Sequence, residues 1–320
     1  MASQGNFTGL LNQTDDEDPR CSVKLTGGIN SQLTGLSVGN IFLSITAFCG
    51  NVLILAALRS QGVSPLSFIP SSKLFYRNLA ISDFLTGIVV EPVRVTYWIS
   101  AVKQQWTICR YLLVASQSLI LILFSVSLLT MTAISIDRLL FLLLGIRSRQ
   151  IVTLKRAVLL VVAFWVVSLA GASSVFFRYS QISAWYGHIL IALCLVTSTF
   201  SYAKIYQTLH QHRIQIQHQV HRDHLANRAI SPLNMARYKK AVSTAMWIQL
   251  ILAVCYIPQA IVTVFLTQKG LTSPVYTALQ YGQTLIFLNS SLNPFFYFWK
   301  IGKVGKAVKT IVNQLCCSVC

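Results

Sequence analysis

One carboxylate lies deep in an apolar stretch of the chain. Asp83 ends the segment Asn78-Leu-Ala-Ile-Ser-Asp83, where burial disfavours its charged form. Polar side chains stand at similar depth in other apolar stretches, namely Asn51, Ser127, Asn289, Ser290 and Asn293. A carboxylate surrounded by amide and hydroxyl oxygens suits a hydrated monovalent cation, whose charge would offset the burial of Asp83. The alternative is an uncharged hydrogen-bonded network in which Asp83 is protonated.

The composition of the chain requires a membrane around these residues. Of 320 residues, 54% are apolar and 11% are charged, whereas soluble domains carry roughly 25% charge. Four of the eight acidic residues form one cluster at residues 15–18. These proportions exclude a soluble enzyme, a disordered chain and a small disulfide-stapled secreted module. A net charge of +18 would suit nucleic acid in a soluble protein, but the basic residues lie between apolar stretches, so no nucleic-acid partner is expected.

Seven apolar stretches are long enough to cross about 30 Å of hydrocarbon as helices. They run from Leu25 to Leu58, Leu74 to about Ser100, Leu112 to Ile136, Ala157 to Phe177, Tyr179 to Ala203, Ala241 to Gln268 and Gly270 to Trp299. Charged residues interrupt the second of them, at Glu91 and Arg94. The pattern predicts an all-α membrane protein, a seven-transmembrane helix bundle at 33–299 with an extracellular tail at 1–32 and a cytoplasmic segment at 300–320.

The distribution of lysine and arginine predicts the orientation of this bundle. With the N-terminus outside, seven of the 26 basic residues lie in outer segments and 19 in inner ones, which agrees with the positive-inside bias. Two glycosylation sequons, at Asn6 and Asn12, occupy the same outer tail. A third, at Asn289, lies inside the last span and is discounted. We therefore expect a multi-pass plasma-membrane protein with an extracellular N-terminus, a cytoplasmic C-terminus and glycans on the tail.

The segment after the last span has the pattern of a membrane-surface helix. Lysines recur every three residues from Lys300 to Lys309 with apolar residues between them, which favours a short amphipathic helix on the anionic inner leaflet. Three cysteines follow, Cys316, Cys317 and Cys320. At membrane level they are candidates for palmitoylation, the alternative being free thiols in the tail.

Two further patterns concern the inner half of the chain. Five of the six histidines fall between His210 and His224, but their spacing matches no zinc site, so a solvated helical extension of the fifth span is the preferred interpretation. Prolines interrupt three spans, at Pro92, Pro258 and Pro294. Each removes a backbone hydrogen bond and kinks its helix, which would let the sixth span act as a hinged lever.

A set of short motifs, each in a different span and in order, resembles the rhodopsin-like (class A) G-protein-coupled receptors. The motifs are Gly50-Asn51-Val52, Leu79-Ala80-x-x-Asp83, Asp137-Arg138, Trp165, Cys255-Tyr-Ile-Pro258 and Asn293-Pro294-x-x-Tyr297. The resemblance implies a receptor that binds an extracellular ligand and activates heterotrimeric G proteins by opening its cytoplasmic face. It implies no cofactor beyond a structural sodium ion.

The resemblance also implies residue roles. Asp137-Arg138-Leu139 is similar to the family's Asp-Arg-Tyr, whose arginine is held by the neighbouring acid at rest and enters the G-protein interface when active. Tyr202 and Tyr297 are similar to the tyrosines that reorganise beneath it, and Tyr256 replaces the usual tryptophan toggle. The remaining switch positions are Pro258, Asn293 and Pro294. The residues that match the sodium pocket are Asp83, Ser127, Asn289 and Asn293.

The departures from the family concern the outer side. Leu113 stands where most members have a disulfide cysteine, and the second outer loop has no cysteine. Cys21 and Cys109 are the two cysteines in outer segments, so our hypothesis is that they pair, the alternative being two free thiols. The short second outer loop, the missing bridge to it and the absence of a proline in the fifth span are most similar to the melanocortin, cannabinoid and lysophospholipid receptors.

The ligand is predicted mostly by exclusion. Ile120 stands where amine receptors have an aspartate, and the seventh span has no lysine for retinal, so a monoamine lacks its usual counter-ion and an opsin is excluded. Glu91 and Arg94 share one helical face and are expected to pair. The alternative makes them polar anchors of an otherwise apolar pocket for a small molecule, lipid or peptide. The other residues expected to line this pocket are Ile120, Phe124, Tyr256, Gln259, Gln283 and Phe287.

Other functions remain open. At the foot of the sixth span, Tyr238 stands where many members have an acid that restrains the arginine, which predicts a weakly restrained resting state. Because Leu139 and Tyr256 depart from the usual motifs, a non-signalling decoy or scaffold receptor is the main rival. A secondary transporter is more remote because no internal repeat is visible. An enzyme is not expected, since His188, the one histidine in a span, has no catalytic partner.

Overall fold

The computed structural model describes residues 18–59, 70–176, 180–222, 232–300, 308–310 and 313. Its regular structure over these ranges is entirely helical. After two short helical turns, Pro19–Cys21 and Val23–Thr26, the long helices are α1 (Asn30–Arg59), α2 (Pro70–Leu85), α3 (Glu91–Val102), α4 (Trp106–Leu144), α5 (Leu154–Phe176), α6 (Ser180–Arg222), α7 (Pro232–Lys269) and α8 (Ser273–Lys300). A π-helical turn, Thr86–Val90, joins α2 to α3 as one segment.

Five helices are long and apolar enough to cross a membrane by length and composition. They are Asn30–Arg59, Trp106–Leu144, Leu154–Val175, Ala184–Thr208 and Leu250–Lys269. The two other long segments, α2–α3 and α8, contain more polar residues. Those residues point inward, since Asp83 and Glu91 are completely buried and Asn289 and Asn293 nearly so. Large apolar side chains such as Leu159, Val166 and Leu193 are exposed instead, as expected where lipid replaces water.

Helix α4 lies at the centre of the bundle. It packs against α2, α3, α5 and α6, while α8 packs between α1 and α7. A chain of hydrogen bonds fastens α5 to this centre, because the Trp165 indole donates to the Asn78 carbonyl oxygen at 3.1 Å and the Asn78 amide donates to Thr130 at 2.7 Å. Through Asn78, the motif residue Trp165 therefore links α5 to α2 and α4.

The junction between α2 and α3 depends on a close approach to α1. The Ser44 hydroxyl donates to the Gly87 carbonyl at 2.7 Å, and a Cβ on Gly87 would lie 2.8 Å from the backbone nitrogen of Phe48. Only glycine allows this approach without displacing α1. Because a π turn bonds i to i+5 rather than i+4, it also shifts the face that α3 presents to the bundle.

The N-terminal segment covers one end of the bundle, which we call the outer end. Cys21 and Cys109 form a disulfide, with their Cα atoms 6.0 Å apart. This is the pairing proposed from the sequence. Leu25 and Leu33 pack in the same buried cluster as Trp98 and Tyr276, so the segment is attached both covalently and by apolar contact.

Several predicted features lie wholly or partly outside the described residues. They are the glycosylation sites Asn6 and Asn12, the cysteines Cys316, Cys317 and Cys320, and most of the amphipathic helix. Of that helix the structure describes residues 308–310 and 313, with Val308 buried and Lys309 exposed. The predicted extension of the fifth span is helical as far as Arg222, where α6 ends, and its remainder, including His224, lies outside the described residues.

Candidate functional site

A cavity of about 1040 Å³ opens in the outer half of the bundle, and we call it the outer cavity. Five of the predicted pocket residues line it, namely Arg94, Ile120, Phe124, Gln259 and Gln283. Its volume is at the upper end of small-molecule pockets. Helices α3, α4, α6, α7 and α8 all contribute to its walls.

Two of the other predicted pocket residues lie deeper. Tyr256 and Phe287 line a void of about 10 Å³, together with Ser127 and Ser290, which is space for about one water molecule. The rings of Phe124 and Tyr256 have their centroids 5.0 Å apart, and both residues are buried. Phe124 borders the void as well as the outer cavity, so it connects the cavity to the polar residues beneath.

Arg94 is the buried cation of the outer cavity, with 1% of its surface exposed. Its Nη1 donates to the Ser116 hydroxyl at 3.2 Å, and its Nη2 donates to Gln280 Oε1 at 2.5 Å and to Gln283 Oε1. The guanidinium also lies over the Tyr97 ring, 4.7 Å from its centroid. Neutral acceptors and an aromatic ring therefore hold this charge.

The predicted pairing of Glu91 with Arg94 is wrong. Both carboxylate oxygens of Glu91 are buried without a hydrogen-bond partner, and no ion pair between these two described residues is formed. The reason is that the guanidinium reaches across to α4 and α8, where several acceptors converge, while Glu91 stays one turn away at the start of α3. Glu91 also does not line the outer cavity, so it is not an anchor there.

Asp83 is at the centre of the deep polar cluster. Its Oδ1 accepts from the Ser290 hydroxyl at 2.8 Å and from Ser127 at 3.4 Å, and its Oδ2 accepts from the Asn293 amide at 2.7 Å. The Asn289 amide points away from Asp83 and donates to the Tyr256 hydroxyl at 3.4 Å. Ser290, one residue further along α8, is the residue of this pair that donates to Asp83.

The oxygen atoms around Asp83 are suitable ligands for a small monovalent cation. Besides the carboxylate and the Ser127 and Ser290 hydroxyl oxygens, the carbonyl oxygens of Asn51 and Asn289 are buried without hydrogen-bond partners. Asn51 belongs to this cluster, since its amide donates to the Ser290 backbone carbonyl at 3.2 Å. Unpartnered oxygens near a carboxylate are the ligand type that hard cations take.

At the inner end of the bundle, Ser72 rather than Arg138 is the closest partner of Asp137. The Ser72 hydroxyl donates to Asp137 Oδ2 at 2.6 Å, whereas Arg138 Nη2 lies 3.8 Å from the same oxygen. Arg138 also lies over the Tyr76 ring, 5.7 Å from its centroid, and its Nε and Nη2 have no hydrogen-bond partner. The sequence motif indicated Asp137 and Arg138, but nothing in it indicated Ser72 or Tyr76.

The other switch residues lie on α6, α7 and α8. The Ser135 hydroxyl donates to the Tyr202 hydroxyl at 2.8 Å, and Tyr297 meets Tyr76 edge to face at 5.5 Å. Pro258 and Pro294 lie inside α7 and α8 as predicted. The side chain of Tyr238, at the foot of the sixth span, is outside the described part of the structure.

Comparison with known proteins finds one family. The profile described as "7 transmembrane receptor (rhodopsin family)" matches residues 50–182 and 177–297. Galanin receptor type 1 of Rattus norvegicus is 25% identical over 97% of this chain and 90% of its own length. Adenosine receptor A3 of Ovis aries is 24% identical over 88% of this chain and 89% of its own length. Galanin receptor 2a of Danio rerio is 27% identical, and the match spans about half of that receptor, 48% of its length.

These relatives do not confirm the expected kinship with melanocortin, cannabinoid and lysophospholipid receptors. The profile nevertheless covers the chain from the first span to the end of the seventh, including every motif on which the resemblance was based. It does not favour a transporter. The chain belongs to the rhodopsin family of seven-transmembrane receptors, whose members are G-protein-coupled signalling receptors rather than enzymes.

Proposed function

We propose that this chain is a plasma-membrane receptor that binds an extracellular ligand in the outer cavity and activates a heterotrimeric G protein at its inner end. The observation that carries the proposal is a continuous run of buried contacts between the two ends. Phe124 contacts Tyr256, Tyr256 accepts a hydrogen bond from Asn289, and the neighbouring Ser290 and Asn293 bind Asp83.

The run of contacts ends near Arg138. Pro294 follows Asn293 in α8, and Tyr297 packs on Tyr76, the ring that also lies under Arg138. A ligand that displaces Phe124 or Tyr256 would therefore act on a chain of buried partners that leads to the arginine. Pro258 lies two residues beyond Tyr256, where the missing backbone bond lets α7 bend. Outward motion of the inner half of α7 would expose Arg138 to the G protein.

Asp83, Ser127, Ser290, Asn289 and Asn293 would hold a sodium ion in the resting state. When bound, the ion supplies a positive charge that neutralises the buried Asp83 carboxylate. The unpartnered oxygens of Asn51 and Asn289 support this assignment, since they give the site acceptors in addition to the carboxylate. Movement of α8 during activation would separate Asn293 and Ser290 from Asp83 and disperse these ligands.

The orientation and modifications also belong to the proposal. The excess of lysine and arginine on the inner segments supports an extracellular N-terminus with glycans at Asn6 and Asn12. The basic segment after α8 supports palmitoylation at Cys316, Cys317 and Cys320 beside the membrane lipids. The relatives are named as galanin, adenosine and QRFP-like peptide receptors. Because these names indicate no single ligand class, the ligand class of this chain is argued from the outer cavity instead. The closer relationship to the melanocortin, cannabinoid and lysophospholipid receptors stays a prediction.

A panel of G-protein activation reporters in cells tests the proposal. The wild type is expected to activate at least one G-protein class without added ligand or with tissue extract, and Arg138→Ala is expected to abolish that signal at equal surface expression. Arg156→Ala is the control, because Arg156 is exposed and donates only to a backbone carbonyl of its own segment. A wild-type receptor that reaches the surface, binds a ligand and activates no G protein would be a decoy, and the proposal would be wrong.

A further inference from the structure

Most of the charged residues in the described lining of the outer cavity are basic. Three guanidinium groups line it, those of Arg20, Arg94 and Arg110. Among the described residues that line the cavity, the one acid is Asp18. The Asp18 carboxylate is already engaged by Arg20, whose Nε and Nη2 donate to it at 2.9 Å and 2.7 Å. Among the described residues, the acid of the cavity wall is therefore held by Arg20 and forms no ion pair with Arg94.

Arg94 is the most deeply buried of the three arginines that line the cavity. A cation removed from water is energetically unfavourable unless an opposite charge lies beside it. Its hydrogen bonds go to a serine hydroxyl and to two glutamine amide oxygens, and its Nε donates to nothing. The closest acid on its own helix, Glu91, makes no ion pair with it. These neutral acceptors hold the guanidinium in place but leave its charge uncompensated.

The chemistry of the walls narrows the kind of anion. The planar guanidinium matches a carboxylate, and a hydrogen bond between two charged groups is stronger than one to a neutral amide. Gln280 and Gln283 are amides, so either side chain can turn its NH2 group toward an anion after giving up Arg94. Beyond Arg94 the cavity is walled by apolar side chains, among them Ile120, Phe124, Leu279 and Ile286.

We propose that the ligand of the outer cavity is an organic anion with a carboxylate head and an apolar body, and that Arg94 is its counter-ion. The carboxylate takes the place of the glutamine oxygens at Arg94, and the apolar body extends along α4 and α8 toward Phe124. This inference rests on the proposed function only in treating the outer cavity as the ligand site. Such a head group comes either from a free carboxylic acid or from the C-terminus of an apolar peptide.

Direct binding to the full-length receptor in lipid nanodiscs tests the inference without a G protein. The probes are octanoate, 4-phenylbutyrate and indole-3-acetate, each compared with its primary amide, and apolar tripeptides with a free or an amidated C-terminus. The amides keep the shape of the acids and remove the charge. A carboxylate probe is expected to raise the thermal unfolding midpoint, and its amide partner is not, since a ligand that binds only the folded state stabilises it. The arm that responds identifies the source of the carboxylate.

Variants locate the counter-ion. Arg94→Gln is expected to weaken the carboxylate probe about 10- to 100-fold, the usual effect of losing hydrogen bonds to a charged group. Arg94→Lys keeps the charge and is expected to retain part of the affinity. Lys103→Gln removes the same charge from an exposed residue outside the cavity wall and is expected to bind as the wild type does. If Arg94→Gln does not fold, the inference is still tested by comparing the binding of acids and amides to the wild type and to Arg94→Lys.

Three results would overturn the inference. They are equal stabilisation by acids and amides, no stabilisation by any acid in the panel, and Arg94→Gln binding within about threefold of the wild type. The receptor proposal fails separately. Carboxylate binding with no G-protein activation by any reporter leaves the inference intact and removes the signalling function. G-protein activation with no preference for carboxylate probes does the reverse.

Discussion

The Ser72 hydroxyl lies closer to the Asp137 carboxylate than the neighbouring Arg138 does, at 2.6 Å against 3.8 Å. Asp137 is 5% exposed, so water has little access to its carboxylate. Ser72 stands on α2 and Asp137 on α4, so this bond joins two helices that are 65 residues apart in the chain. Arg138 is therefore held by a long contact to a carboxylate that a serine already occupies.

Substitutions at Ser72 and Asp137 should move ligand-free signalling in opposite directions. In Ser72→Ala the Asp137 carboxylate loses its closest donor and becomes available to Arg138, so basal activity is expected to fall. In Asp137→Asn the arginine loses its one charged partner among the described residues, so basal activity is expected to rise. A bond worth about 0.5–1.5 kcal/mol corresponds to a change of roughly two- to tenfold. The measurement is G-protein activation without ligand at matched surface expression. A change in the same direction for both variants would contradict this account of the inner end.

The disulfide between Cys21 and Cys109 is expected to stabilise the outer end as one unit. Replacing either cysteine with serine should cost about 2–5 kcal/mol, because the bond closes a long loop and holds the N-terminal segment on the bundle. The double variant should be no less stable than either single one, since both remove the same bond. Thermal unfolding of the purified receptor, with and without reductant, measures this. Additive losses in the double variant would show that each cysteine acts separately.

Sodium is expected to stabilise the receptor through Asp83. Raising sodium chloride at constant ionic strength, with choline chloride as the balance, should raise the unfolding midpoint of the wild type. Asp83→Asn should remove the effect, and Ser290→Ala should weaken it because Ser290 lies 2.8 Å from the carboxylate. Ser291→Ala is a matched control, since that hydroxyl donates to the Leu43 carbonyl instead. Equal sodium responses in the wild type and Asp83→Asn would leave the deep polar cluster as a packing network.

Gly87→Ala should destabilise the bundle by about 1–3 kcal/mol, the usual range for overpacking. The added Cβ would stand 2.8 Å from the Phe48 nitrogen and 2.9 Å from the Ser44 carbonyl oxygen, so α1 would have to move. Gly39→Ala in α1 is the control. A Cβ there meets nothing within 4 Å, and alanine favours the helix by roughly 0.5–1 kcal/mol. Denaturation of both variants in the same detergent checks the difference. Equal stability would mean that the approach of α1 to the π turn is not tight.

Glu91→Gln is expected to leave stability unchanged or to raise it. Both oxygens of Glu91 are buried without partners, so the carboxyl group contributes no hydrogen bond that an amide would lose. A neutral amide of the same shape removes the cost of burying a charge that has no partner, although it leaves the polar atoms as poorly satisfied as before. The unfolding midpoint of the purified variant measures the change. A fall of more than about 1 kcal/mol would indicate that the charge of Glu91 has a partner in the working receptor.

Much of the architecture could be predicted from local pattern. Apolar length gave the position of each span, and the family motifs identified Asp83, Asp137, Arg138 and Asn293 before any contact was known. The same pattern predicts seven spans, and five helices in the described part of the chain are long and apolar enough to cross a membrane. The polar residues of α2–α3 and α8 explain the difference, because they point into the bundle and leave an apolar outer surface.

The contacts themselves were decided only when the helices packed. One sequence reports which residues share a face of one helix, but not which residue of another helix that face meets. For this reason the amino-acid sequence determined that Glu91 and Arg94 lie on one face, while packing took Arg94 to the glutamines of α8. It placed Asn289 and Ser290 at one depth, whereas the orientation of α8 in the bundle decided that Ser290 donates a hydrogen bond to Asp83. Ser72 became the partner of Asp137 in the same way. A hydrogen bond requires about 3 Å between the donor and acceptor atoms, and for residues on different helices only the tertiary structure sets that distance.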